Sequence, residues 1–258
     1  MSERVAANNR INDYGRLLPS LFDAQAVQGW TSGMLQIVDA LLAEQIAQEG
    51  RLLEIGCGGG QFLRHWRQAH PRQALFGVDL HAAALPFAQA NTHCSVQLSQ
   101  ADLTALPFAP ASFDAIVALD VFDQRGVDLA QALVEAKRLL KADGILLLRV
   151  SAYPWLYGAH DIAFNTGQRF SKTQLHQSVA AAGFGVQRIT YANSLLATPI
   201  LATRLLQKLA GIDPAASLYD STLTNRLFAR ALQLEAHWLR QQELPAGVSL
   251  YLLARNET

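Results

Sequence analysis

Cysteine is scarce in this chain: Cys57 and Cys94 are the only two in 258 residues. That is too few for a disulfide framework, and the pair lacks metal-ligand spacing. A reducing compartment, the cytoplasm, is the expectation. An excess of either charge is missing as well, with 21 Lys+Arg set against 21 Asp+Glu. Duplex-binding proteins carry a basic excess to neutralise phosphates, so nucleic acid is not an expected partner. Long apolar runs are absent too. The opening MSERVAANNRINDYG is polar and lacks the apolar core of a signal peptide. The late stretch NSLLATPILATRLLQKLAG is broken by Pro199, Arg204 and Lys208, so no transmembrane segment is expected. Internal repeats and low-complexity tracts are also lacking.

What is present is 50% hydrophobic residues, enough for one large domain with a full core. Residues 31–48 read as a helix: Met34, Leu35, Val38, Leu41, Leu42 and Ile46 recur at helical spacing behind Thr31 and Ser32. Short apolar runs then alternate with helical stretches. RLLEI precedes QFLRHWRQA, ALFGVDL precedes AAALPFAQA, CSVQLSQ follows, and FDAIVALD precedes DLAQALVEAKRLL and then GILLLRV. That alternation argues for a parallel sheet with helical crossovers. A long aromatic-rich connection, SAYPWLYGAHDIAFNTGQRF, comes next, and connections of this length are often functional. Ser171 and Gln174 form a capping box for a helix that Gly183 closes. GVQRITYA reads as a strand, 194–243 as mostly helical, and GVSLYLLAR as a final strand.

Between the first strand and its helix stands Glu54-Ile55-Gly56-Cys57-Gly58-Gly59-Gly60. One or two glycines would serve a tight turn. Four in five positions leave main chain bare for a ligand, next to the open N–H groups of a helix N-terminus. The dinucleotide fingerprint G-x-G-x-x-G would need a glycine where Gln61 stands. The spacing is instead E-x-G-x-G-x-G, and here the chain resembles the class I S-adenosylmethionine-dependent methyltransferases.

The resemblance extends over roughly 51–150 in ordered segments. It implies a Rossmann-like, seven-stranded α/β methyltransferase fold, mostly parallel, with an antiparallel last strand and a helical insertion. It also implies S-adenosylmethionine as cofactor, held by Glu54, Gly56, Cys57, Gly58, Gly60, Asp79, Leu80, Asp102, Leu103 and Leu119. In the family the glycine loop cradles the methionine portion and the acid two residues before it helps to orient the loop. The acid of GVDL, Asp79, takes the ribose diol, chemistry that suits a carboxylate, although an Asp before LHAAAL is also a natural helix cap. Asp102 and Leu103 of QADLTALPF match the family's adenine contacts. Leu119 and Asp120 would line the cofactor or the methyl-transfer face. The family's Pro-Gly-Gly turn before the fifth strand is here Ala-Asp-Gly. SAYPWLYGAHD through ITYANSLL further resembles a subgroup found among saccharide and small-molecule tailoring enzymes. Thr166 replaces that subgroup's His, and Gln168-Arg169-Phe170 its Arg-Arg-Tyr, so a different acceptor is implied.

Methyl transfer from a sulfonium needs alignment and dryness more than acid–base work, and a base only where the acceptor must lose a proton. His160, whose imidazole titrates near neutrality, and Asp120 are the candidate catalytic residues. Tyr14, Trp30, Asp123, Tyr153, Trp155 and Tyr157 are the candidate acceptor contacts. Cys57 reads more simply as a small buried residue than as a nucleophile. No metal set is evident. The reading is one domain: a helical lead (1–50), a cofactor-binding core (51–193), a helical insertion (194–243) and a final strand (244–258). The insertion's leucines suit a cap over the active site, a membrane or lipid-linked acceptor, or a homodimer. The expected partner is a small or medium-sized organic acceptor. A saccharide or lipid-linked saccharide acceptor, a non-catalytic cofactor-binding protein and a nicotinamide-dependent oxidoreductase are the rivals, the last opposed by Gln61 and the terminal strand.

Overall fold

The chain solves its alternating pattern with helices on both faces of one sheet. A computed structural model describes residues 29–198 and 222–257, with side chains from 225 onward in the second stretch. Tyr14 and the insertion's residues 199–221 lie outside the described residues. The strands are β1 (Arg51–Ile55), β2 (Ala74–Asp79), β3 (Gln97–Gln100), β4 (Phe113–Leu119), β5 (Leu140–Ser151), β6 (Phe184–Ala192) and β7 (Ser249–Asn256). The helices are α1 (Gly29–Leu42), α2 (Gln61–Ala69), α3 (Leu85–Asn91), α4 (Leu129–Leu139), α5 (Ala159–Ala163), α6 (Lys172–Ala181) and α7 (Thr222–Leu239).

The sheet order is β3-β2-β1-β4-β5-β7-β6. The first five strands pair in parallel, and β7 runs antiparallel between β5 and β6. This is the seven-stranded, mostly parallel sheet with an antiparallel last strand that the sequence implied. Strands covered on both faces need apolar residues at successive positions, which is why LLEI and ILLLRV read as continuous runs. Leu53, Ile55, Ile116, Ala118, Leu146 and Leu148 face α4 and α6. Leu52, Val117, Leu147, Tyr251 and Leu253 face α1, α2 and α7. Local capping agrees with the sequence. Asp128 accepts from the Ala130 and Gln131 amides at the start of α4, and Ser171 and Gln174 bond reciprocally at the start of α6.

One boundary differs from the sequence reading. Helix α1, described from Gly29, stops at Leu42, short of residue 48. It is also pressed onto a helix distant in sequence: a Cβ added at Gly33 would stand 2.4 Å from Leu232 Cβ, and one at Gly29 1.9 Å from the Asn225 carbonyl oxygen. The described part of the insertion, α7, therefore packs along α1, burying Leu232, Ala236 and Leu239 on the sheet's face. In this helix the insertion is a layer of the fold. Trp30, proposed for the acceptor, belongs to this layer and meets Phe228 edge-on at 6.5 Å.

The α1–α7 contact predicts that Gly33→Ala destabilises the protein by about 1–3 kcal/mol through overpacking. Leu232→Gly in the same chain removes the Cβ that the new methyl would strike, so the double variant should be less destabilised than the sum of the two single variants in a denaturant-unfolding cycle.

Candidate active site

Parallel strands bring their carboxyl ends to one edge, and five consecutive exits in the sheet, those of β3, β2, β1, β4 and β5, carry nearly all the residues singled out in the sequence. The β1 exit is the glycine loop. Gly56 and Cys57 both donate to the Val78 carbonyl, at 2.8 and 2.9 Å, binding the loop to β2. Gly56 has φ 72°, and a Cβ there would stand 2.2 Å from Val121 Cγ2. Only glycine lets the β1 and β4 exits touch in this way. Gly60 has φ 76°, and its Cβ would meet Ala88 Cα at 2.9 Å. Two of the four glycines thus answer to the protein's own packing. Gly60 also starts α2 with no side-chain cap, which leaves that helix N-terminus to main-chain chemistry alone.

Two carboxylates face this loop. Asp79 accepts from the Gly58 amide at 2.9 Å through Oδ2 and from the His81 amide at 2.8 Å through Oδ1. Each oxygen keeps a second acceptor position, so the clamp and a diol can be served together. Glu54 is buried and its Oε2 has no hydrogen-bond partner. Burial first, and then the charge of Asp79, push Glu54 well above the usual carboxylate range, while Arg149 pulls the other way. Burial, with Glu54 and Asp79 next, pushes the Cys57 thiol up as well, so it is a neutral packing residue. The adjoining exits are tied together, Ala101 donating to the Asp79 carbonyl at 3.0 Å and the Gln100 amide group to that of Leu80 at 3.0 Å. Leu80 is exposed, Leu103 packs against the core, and Asp102 is exposed, its Oδ1 closing a turn with the Thr104 amide at 2.9 Å.

S-adenosylmethionine carries a sulfonium, an ammonium, a carboxylate and a diol. The unpartnered buried oxygen of Glu54 and the second acceptor positions on Asp79 suit its cations and hydroxyls. The uncapped start of α2 suits its carboxylate. The residues present therefore fit this cofactor.

The acceptor side differs from the sequence reading in three places. Asp120, expected as a catalytic residue, is not a free base. It takes up φ 55°, and both its oxygens accept from Arg149, the Nε–Oδ1 bond being 2.8 Å and the Nη2–Oδ2 contact closing the pair. Burial alone would pull the Arg149 guanidinium down, but Asp120 and Tyr251 more than offset it and hold the charge firmly. Asp123, expected to touch the acceptor, is 0% exposed. It is instead a hub. Its Oδ2 accepts from the Ser151 amide at 2.8 Å, and its carbonyl accepts from Gly167 at 2.7 Å and Gln168 at 3.2 Å. Trp30 is committed to helix packing, as described above.

His160 lies in α5, stacked on Phe164 at 4.5 Å. Its neighbour Asp161 faces Arg169, in an ion pair of 2.7 Å whose side chains are 1% and 3% exposed. Arg169 also donates to the Ala152 carbonyl at 2.8 Å. The segment resembling the subgroup's Arg-Arg-Tyr thus works as a clamp on the β5 exit. Tyr153, at φ 62°, stacks on Tyr191 at 5.2 Å and inclines to Trp155 at 5.6 Å. Trp155 is 71% and Tyr157 39% exposed; the Tyr157 hydroxyl donates to the Thr166 carbonyl at 3.1 Å. Sequence reasoning passed over Arg149, although it is the one charge in GILLLRV. It also passed over Glu235, the one acid of α7, which accepts from the amides of Asn193, Ser194 and Leu195.

Comparison with known proteins bears on this geometry. Residues 53–148 match the family described as a methyltransferase domain. The chain is 29% identical over 213 residues to a malonyl-acyl-carrier-protein O-methyltransferase of Enterobacter lignolyticus, covering 79% of this chain and 81% of that protein. Its fold is similar to that of Haemonchus contortus phosphoethanolamine N-methyltransferase 2, solved with S-adenosyl-L-methionine. The TM-score is 0.57 with 19% identity, over 86% of this chain and 52% of that one. It is also similar to geranyl diphosphate C-methyltransferase of Streptomyces coelicolor, with TM-score 0.55 and 16% identity, over 84% and 77% of the chains.

Asp123 yields a pH prediction. Burial first, and then the charge of Asp120, push its carboxyl up from 3.8 to about 6. A raised carboxylate stabilises the fold while it stays protonated, and that contribution disappears as pH rises through about 6. Between pH 4 and 7 the wild type should therefore lose on the order of 1–3 kcal/mol that Asp123→Asn does not lose, read from denaturant unfolding of both at each pH.

Proposed function

We propose that this chain, an S-adenosylmethionine-dependent methyltransferase, methylates a small or medium-sized organic acceptor through an oxygen that is already ionised at neutral pH, such as a carboxylate. The observation that carries this reading is the Asp120–Arg149 pair: the acid at the β4 exit has both oxygens committed to a guanidinium. An acceptor that arrives ionised asks for no proton acceptor at that place. The relative from Enterobacter lignolyticus, an O-methyltransferase of a malonyl group, supports an acidic oxygen as the nucleophile.

The bound cofactor supplies a methyl group on a sulfonium, ready for in-line displacement with a neutral thioether as leaving group. The protein's part is binding, orientation and dryness. Glu54 and Asp79 would hold the cofactor's cationic and diol groups, Asp102 and Leu103 its base, and the start of α2 its carboxylate. Leu119, in one row of the sheet with Arg149 and Tyr251, would present an apolar wall. Arg149, together with the sulfonium and ammonium that the bound cofactor would bring, offsets the negative charge that Glu54, Asp79, Asp120 and Asp123 place along this edge, so an anionic acceptor would not be turned away. The exposed rings of Trp155 and Tyr157 favour a second reading, a flat or saccharide acceptor stacked at the rim.

Two outcomes are expected. S-adenosylmethionine and S-adenosylhomocysteine at a hundredfold their dissociation constants stabilise the wild type by about 2.7 kcal/mol in thermal unfolding. NAD does nothing, and Asp79→Ala, which frees the Gly58 amide, loses the effect. With a malonyl thioester as acceptor, turnover is flat from about pH 6 to 9. Turnover confined to hydroxyl, amine or saccharide acceptors, with a rate limb rising across neutrality, would overturn the ionised-oxygen reading and leave the cofactor assignment standing.

A further inference from the structure

Helix α7 has two opposite apolar lines, and only one is used by the fold. Leu232, Ala236 and Leu239 are buried against α1 and the sheet. Leu227, Leu234 and Trp238 lie on the far side, at 56%, 67% and 57% exposure. Their spacing sets them on one line about 16 Å long. Leu195, 48% exposed, stands beside α7, its amide donating to Glu235 Oε2 at 3.2 Å.

Among the described residues of this region, the charges around that line are all of one sign. Arg226 and Arg230 on α7, and Arg240 just beyond it, are exposed. The helix has a single acid, Glu235, which is 1% exposed and turned inward onto the amides of Asn193, Ser194 and Leu195. In a chain of zero net charge, this face of α7 offers cations and, among the described residues, no carboxylate. We propose that the outer face of α7 is a docking surface for an anionic lipid bilayer, on which the helix lies in the plane of the headgroups.

Such a helix buries an apolar stripe at the acyl boundary, sets a Trp at the interface and places arginines on lipid phosphates. No helix among the described residues is long and apolar enough to cross a membrane, so contact would be along the surface. A second copy fits poorly, since two such faces would oppose arginines to arginines.

The test is co-sedimentation of the full chain with vesicles of phosphatidylcholine alone or with about a third phosphatidylglycerol. Binding to the anionic vesicles only is expected. It should weaken about fivefold for each of Arg226→Gln and Arg230→Gln, and again in high salt. Leu234→Glu with Trp238→Ser should abolish it. These side chains are exposed, and an unchanged thermal shift with S-adenosylmethionine certifies that each variant is folded. That control also separates the outcome from the methyltransferase reading. Absence of binding to either vesicle overturns the proposal, as does binding that survives the double substitution. So does a self-associating chain that Leu234→Glu returns to monomer.

Discussion

A single guanidinium holds the carboxyl edge of this sheet together. The exits of β1, β2 and β4 deliver Glu54, Asp79, Asp120 and Asp123 to neighbouring positions, and Glu54 and Asp123 are raised by burial and by the charge of their neighbours. Arg149 is the cation set among them, bidentate to Asp120 and felt at Glu54 and Tyr251. One positive charge against four acids leaves an edge short of cations. A ligand bearing a sulfonium and an ammonium would fill that deficit, so under the proposed function cofactor affinity and the balance of the edge have one origin.

The same edge is rigid for a second reason. The β4 exit is bonded to the loop after β5 at successive points: Asp123 to Ser151, Gly167 and Gln168, and the Arg125 amide to the Asn165 carbonyl at 2.9 Å. The buried Asp161–Arg169 pair then anchors that loop to the Ala152 carbonyl. Gly56 presses the β1 exit against Val121 of this assembly. The glycine loop and the loop after β5 are therefore one mechanical piece, which is what alignment of a methyl with its acceptor would require under the proposed function.

The parts legible in the sequence are those fixed by local chemistry. Strand and helix periods, the capping box at Ser171, the glycine loop and the aspartates after β2 and β3 each depend on residues a few positions apart. What escaped the sequence depends on distant partners. Asp123 reads like any polar residue after a strand until Ser151 and Gly167 close over it. Trp30 reads as a recognition residue until Phe228 meets it. Arg149 reads as an interruption in an apolar strand, because nothing near it in sequence announces Asp120 as its mate. Even the glycines divide on this line: their number suggested a ligand, but the reasons for Gly56 and Gly60 lie in Val121 and Ala88.

The place of β7 has a consequence for assembly. This strand follows every other described element in sequence yet lies between β5 and β6, and Tyr251 on it reaches back to the Met34 carbonyl of α1. During vectorial synthesis β5 and β6 each wait with an unpaired edge. α1 meanwhile waits for the part of its cover that α7 and β7 supply, Leu232 at Gly33 and Tyr251 at Met34. The glycine loop and its clamp can form early from local strands, while the half of the sheet beyond β5 closes last. The nascent chain therefore passes through a stage with the glycine loop nearly complete on an open-edged sheet, the species on which a holdase chaperone would act.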